Sequence, residues 1–189
     1  METILDLDMR EHGCRFVAAH VDALGDPQAF DEALLLVSEH RRAKVRSFRF
    51  AKDQRLSLLA GLLLNELLHD WGLSERDMVY AEAEGGKPVF ANRPDLHFSL
   101  SHSEAMAVAT MACAPVGVDV EYLPAFPYDL ADPHQWTEME SVGKLLGCGV
   151  GVFVDGAPYR RPDGIMVEHV ACGDYLICLS RLEMMAARR

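Results

Sequence analysis

Asp119 and Glu121 stand two residues apart in the stretch VGVDVEYL, between Val118, Val120 and Tyr122. The β-branched alternation predicts a strand, and residues two apart in a strand share a face. Two carboxylates on one face repel each other unless a cation stands between them. Hard divalent ions such as Mg²⁺ take oxygen ligands, commonly one or two carboxylates with water and substrate phosphates. A solvated strand face that carries an acidic pair has the same pattern. The second candidate is Glu140 with Lys144, four apart on one helical face. Glu followed by Lys at that spacing is a common helix-stabilising pair, worth about 0.2–0.5 kcal/mol. Thr137 to Glu140 also reads as a T-x-x-E capping box, which would spend Glu140 on the helix start. The third is His102 in SLSHS, able to donate to phosphate oxygens or to serve as an ordinary turn histidine.

A basic segment accompanies them. Arg41, Arg42, Lys44, Arg46, Arg49, Lys52 and Arg55 are seven of the chain's eighteen cations, set against Asp53 alone. The whole chain has a formal net charge of −11, which excludes a broad nucleic-acid footprint. One concentrated basic segment in an acidic protein fits a compact polyanion such as a nucleotide cofactor, or else a solvated helix face.

Several elements must position these groups. Cys14 to Ala23 reads as a strand and Gly25-Asp26-Pro27 as a turn. Ser38 precedes a helical basic segment. From Asp53 to Trp71, Leu56, Leu59, Leu63, Leu67 and Trp71 recur at helical spacing and Leu58, Leu62, Leu64 and Leu68 widen the stripe, which predicts a buried central helix stopped by Gly72. GGKP is a turn. HFSLSHS, Ala105 to Cys113 and VGVDVEYL read as successive strands. A Pro- and Asp-rich connector leads to a short helix, WTEMESVGKLLG. The tail predicts strands around VGVFVDG, GIMVEHVA and DYLICLS. Together these make an α+β chain with two subdomains.

Half of the 189 residues are hydrophobic and a quarter charged, ordinary for a soluble globular protein. The longest apolar run, Leu56 to Leu64, is broken by Ser57 and too short to span a membrane. The start, METILDLDMREHG, lacks the basic and apolar regions of a signal peptide. Five scattered cysteines without a CxxC read as reduced thiols, so a cytoplasmic location is expected.

The succession GGKPVFANRPDLHFSLSHS, VGVDVEYL, WTEMESVGKLLGCG resembles the 4'-phosphopantetheinyl transferases of the surfactin-synthetase-activating (Sfp) type, in shortened form. That family shows a G-K-P turn, an F-N-x-S-H-S strand, a G-x-D-x-E strand and a W-x-x-K-E-x-x-x-K-x-x-G helix. The likeness covers about residues 38 to 148, the basic segment and Leu-rich helix included. It implies transfer of the phosphopantetheine arm of coenzyme A to a serine of an acyl or peptidyl carrier protein, for fatty acid, polyketide or nonribosomal peptide synthesis. By the same resemblance Asp119, Glu121 and Glu140 would hold Mg²⁺. Glu140 would act as base, and Lys144 would stand near the pyrophosphate. Arg41, Lys44, Arg55, Lys87, Ser101 and His102 match positions that grip coenzyme A. The implied fold is a pseudo-twofold pair of α+β subdomains, residues 1–113 and 114–189, with the site in the cleft between them.

Three features depart from the family pattern. Met139 replaces a lysine beside Glu140, which should raise that carboxylate's proton affinity. The connector from Glu121 to Trp136 is short, and it helps to shape the family's carrier-protein surface. Ser99 stands for the asparagine of the F-N-x-S-H-S strand. Met139 and the short connector motivate a second reading, a non-catalytic module that binds coenzyme A or a carrier protein. A third, a phosphohydrolase built on the same carboxylates, lacks a second carboxylate cluster and an activated nucleophile.

Overall fold

A computed structural model describes residues 5–9, 14–24, 26–129, 131–153 and 158–183. Its elements run β1 (Leu5–Met9), β2 (Cys14–His20), α1 (Pro27–Leu34), α2 (Glu39–Ser47), α3 (Ala51–His69), β3 (Tyr80–Glu82), β4 (Pro88–Phe90), β5 (His97–Ser103), β6 (Met106–Ala112), β7 (Val116–Tyr122), α4 (Pro133–Leu146), β8 (Ile165–Cys172) and β9 (Tyr175–Leu182). Every strand pairing is antiparallel. One sheet has the order β1-β2-β6-β5, a second β7-β9-β8, and β3 and β4 form a ribbon around the GGKP turn.

Strand alternation decides the layers. In β2 and β6, Val17, Ala19, Ala107, Ala109 and Met111 face α3 and pack beneath its leucines. Their neighbours Phe16, Ala18, Met106 and Val108 point the other way, onto Val116, Val118 and Val120 of β7 and Ile177 and Leu179 of β9. The two sheets therefore share an apolar layer that spans the Ala114–Pro115 turn. On the far side of the second sheet, Val142 and Leu145 of α4 pack on Ile165 of β8. α3 is buried along most of its length, as its leucine stripe requires.

Gly117 sets how closely α4 lies on β7, because a Cβ there would fall 2.0 Å from the Ser141 carbonyl oxygen. That close approach carries Glu140 and Lys144 over the face of β7 that bears Asp119 and Glu121.

The sequence reading of three stretches changes. The first predicted strand ends at His20 and passes into a 3-10 turn at Val21–Leu24. Gly25 lies outside the described residues, while Asp26 caps α1 and Pro27 opens it. α4 begins at Pro133, one turn before the T-x-x-E box. Asp132 is its N-cap, accepting from the Gln135 amide at 2.9 Å. An Asp-Pro pair combines a capping carboxylate with a residue preset for the first helical position, so it outcompetes Thr137. Glu140 thus sits mid-helix and is free for the cavity. Val150–Phe153, read as part of a strand, form a 3-10 turn after Gly149 (φ +69°), and the remainder of that predicted strand, residues 154–156, lies outside the described residues. β1, β3 and β4 were not expected from the sequence.

Candidate active site

A cavity of about 590 Å³ opens between α2, the β3–β4 turn, β5, β7 and α4. Arg41, Lys44, Lys87, Ser101, His102, Asp119, Glu121, Glu140 and Lys144 all line it. Arg55, half-buried on α3, does not.

The centre is a chain of charged contacts. Lys144 Nζ donates to Asp119 Oδ1 at 2.6 Å and to Ser101 Oγ at 2.9 Å, and Ser101 Oγ donates to the same Asp119 oxygen at 2.8 Å. Asp119 is 4 % exposed, and its Oδ2 is buried without a hydrogen-bond partner. A buried carboxylate oxygen left unpartnered is costly, which suits an atom that completes its bonding with a ligand. Glu121 is held at both ends, by Trp136 Nε1 (3.1 Å to Oε1) and Ser103 Oγ (3.2 Å to Oε2).

Burial raises the proton affinity of Glu121 above the ordinary carboxylate value, with repulsion from Asp119 adding to it and hydrogen bonds from Ser103 and Trp136 opposing it. Glu140 is raised in the same way, by burial first and then by Asp119, against the attraction of Lys144. Asp119 acts on both glutamates across one cavity, and the three carboxylates together offer the hard oxygen donors that Mg²⁺ prefers. Among the described residues no three His, Cys, Asp or Glu side chains are already gathered around a single point. Lys144 occupies one oxygen of Asp119, and the unpartnered Oδ2 is the atom that fits a cation.

β5 supplies the scaffold. Its alternate residues Phe98 and Leu100 pack toward α3, leaving Ser99, Ser101 and Ser103 toward β7. Ser99 Oγ accepts from the Val118 amide at 3.0 Å, and Ser103 Oγ accepts from the Tyr122 amide at 3.1 Å. Three serines thus stitch the first sheet to the strand that bears the carboxylates. Ser99 has a clear task there despite its departure from the family pattern. Met139 is buried and does not line the cavity, so packing absorbs that substitution.

Basic groups ring the opening. His102 is held less basic than usual by desolvation and by the cations Lys144 and Lys44. Lys87 Nζ donates to the carbonyls of Val116 (3.2 Å) and Leu145 (3.3 Å). Its turn reaches α4 because Gly85, at φ +86°, leaves no Cβ where the Gly147 carbonyl passes. Burial pushes Lys87 down to about 8. Below that pH the folded protein holds the charge in a desolvated place, a cost absent from the unfolded chain with its ordinary value of 10.5. Above it folded Lys87 deprotonates first and the cost is relieved. Stability contributed by Lys87 should therefore rise between pH 8 and 10.5. Measured as Tm, wild type should gain on Lys87→Met across that window; a constant difference would contradict the burial.

Sequence reasoning did not find His40, Phe48, Tyr80, Ser103, Trp136 or Glu75. His40, Phe48, Tyr80 and Trp136 line the cavity. His40 stacks on Tyr80 with ring centroids 4.4 Å apart. Period-two serines in HFSLSHS were the available signal for Ser103.

Comparison with known proteins gives a consistent picture. Residues 25–114 match a family model described as 4'-phosphopantetheinyl transferase, N-terminal. The chain is 36% identical over 111 residues to 4'-phosphopantetheinyl transferase psf-1 of Bacillus pumilus, covering 58% of this chain and 47% of that one. It thus spans about half the length of that relative. With 4'-phosphopantetheinyl transferase ffp of Bacillus subtilis it shares 28% over 172 residues, covering 75% and 77% of the two chains. With 4'-phosphopantetheinyl transferase Sfp of Bacillus subtilis (strain 168) it shares 28% over 148 residues, 66% of each. Among the described residues no helix is long and apolar enough to cross a membrane.

Proposed function

We propose that this chain, similar to the 4'-phosphopantetheinyl transferases, moves the phosphopantetheine arm of coenzyme A to a serine hydroxyl of a carrier protein. The observation that carries the proposal is the cavity itself, where Asp119, Glu121, Glu140 and Lys144 meet beneath a ring of basic residues. The same kinship supports a division at Ala114–Pro115 into two α+β halves related by a pseudo-twofold, with α3 and α4 each on one sheet. It also supports a cytoplasmic enzyme.

Each residue then has a task. Arg41, Lys44, Lys87 and His102 face the phosphates of coenzyme A, offsetting the charge that the cofactor brings into an acidic protein. Ser101 fixes Asp119 and Lys144 relative to one another. Asp119, Glu121 and Glu140 would hold Mg²⁺, which when bound neutralises charge on the pyrophosphate. A serine hydroxyl attacks poorly until a base takes its proton, and Glu140, made more basic by its surroundings, accepts it. Lys144 faces the charge that builds on the departing phosphate of 3',5'-adenosine bisphosphate. The raised proton affinity of Glu140 matters here because a carboxylate at its ordinary value is a weak base.

Incubation with coenzyme A, Mg²⁺ and a panel of apo-acyl and apo-peptidyl carrier proteins should add the mass of the phosphopantetheine arm to at least one partner. Folded protein that binds coenzyme A and modifies none of them would support the binding-module reading instead.

A further inference from the structure

Behind the basic wall lies a carboxylate that the reaction does not use. Glu75 is fully buried, in the 3-10 turn between α3 and β3. The Asn65 side chain of α3 holds its backbone, Oδ1 accepting from the Glu75 amide at 2.9 Å. The carboxylate in turn accepts from the backbone amide and hydroxyl of Ser38, the N-cap of α2, the hydroxyl at 3.0 Å. It accepts from Tyr80 Oη at 2.6 Å. Arg41 Nε, itself buried with no hydrogen-bond partner, stands 3.8 Å from Oε1. The Arg41 guanidinium carbon lies 5.8 Å from the centroid of the Tyr80 ring, on which His40 stacks. Arg41 also fills a notch over Gly61, where a Cβ would come within 2.9 Å of its Cγ.

A fixed anion behind a wall built to receive phosphates works against binding unless something turns it to use. Nearby negative charge repels the ligand, and a buried carboxylate is costly in itself. Here the Nε edge of Arg41 faces the anion while the residue lines the cavity. A guanidinium is a rigid fork, so the attraction of its Nε edge to the anion turns the rest of the group with it.

We infer that Glu75 is a positioning residue of the cofactor wall, which aims Arg41 and the Tyr80–His40 stack at the phosphates of coenzyme A. This rests on the proposed transferase reading. It gives α2 a rigid presentation, since the same carboxylate holds Ser38, the N-cap of the helix that carries Arg41 and Lys44. Its effect belongs to cofactor binding rather than to the chemical step.

The test is coenzyme A titration by calorimetry in Mg²⁺ buffer, with KM and kcat for transfer, on E75Q, R41A and the double variant. E75Q should weaken coenzyme A binding about tenfold, the size of one charge-assisted contact, with kcat within about twofold of wild type. E75D, which keeps the charge, should recover part of the loss. In the R41A background the sign should change: the anion then lacks its partner, and adding E75Q should leave binding equal or tighter. A purely structural Glu75 would cost the same in both backgrounds, and that result overturns the inference. Y80F removes one hydroxyl from the network and keeps the ring. It gives an independent reading should E75Q fail to fold, with a KM increase and unchanged kcat expected and an unchanged KM counting against the role. Wild-type protein that does not bind coenzyme A would sink the transferase reading. Wild type that binds it no better than E75Q would sink the role of Glu75 alone.

Discussion

Glu140→Gln is expected to lower kcat for phosphopantetheine transfer by about 10²–10⁴-fold, the range for losing a positioned general base. The substitution keeps the shape of the side chain and removes both its charge and its capacity to take a proton. Glu140 is placed mid-helix by the Asp132-Pro133 start and lines the cavity beside Lys144, so its loss should leave folding intact, while Mg²⁺ binding, to which the proposed function assigns it, should weaken. Under the proposed function Arg41, Lys44, Lys87 and His102 grip coenzyme A, so calorimetry without Mg²⁺ should find its affinity within a few-fold of wild type. A variant that retains more than a tenth of the wild-type kcat would remove Glu140 from the role of base.

Asp119→Asn should reduce kcat by about 10²–10³-fold, comparable to removing one preorganised electrostatic contact. Two consequences combine. Oδ2, the unpartnered buried oxygen, loses the charge that would attract a divalent ion. Lys144 loses the anion that fixes its ammonium 2.6 Å away. Mg²⁺ titration of the cofactor-bound protein should show weakened ion binding, while Ser101→Ala, which leaves both charges in place, should show a smaller effect. Equal Mg²⁺ affinity in wild type and Asp119→Asn would mean that the ion, if used, is held elsewhere.

Much of this arrangement was legible in the sequence. The strand alternation around Asp119 and Glu121, the leucine periodicity of α3 and the alternation in HFSLSHS each follow from burial on one face. The carboxylates and most of the basic residues that the family resemblance singled out meet at one cavity; Arg55 does not. What escaped has physical causes. Glu75 sits in the polar run SERD, which reads as a solvated turn because a carboxylate is buried only when donors from distant segments converge on it. The donors Ser38 and Tyr80, and the cation Arg41, are brought there by the fold. The capping box at Thr137 competed with a stronger Asp-Pro start five residues earlier. The predicted strand at Val150 yielded to Gly149 and Gly151, whose freedom favours a turn. Ser99 and Ser103 were passed over because a hydroxyl's partner is another strand's backbone, and one chain's local pattern does not show which strand that is.

The apolar layer between the two sheets decides how the molecule can move. Halves joined by a thin linker could swing apart to admit a ligand, yet Phe16, Val108, Val118 and Ile177 interlock across the midline here. Prying them open would expose the same packed surface that folding buried, a far larger penalty than rotating a lysine. Under the proposed function the cleft would therefore load by side-chain exchange at its mouth, with Lys144 giving up its contact to Asp119, and with the apolar layer between the sheets left closed.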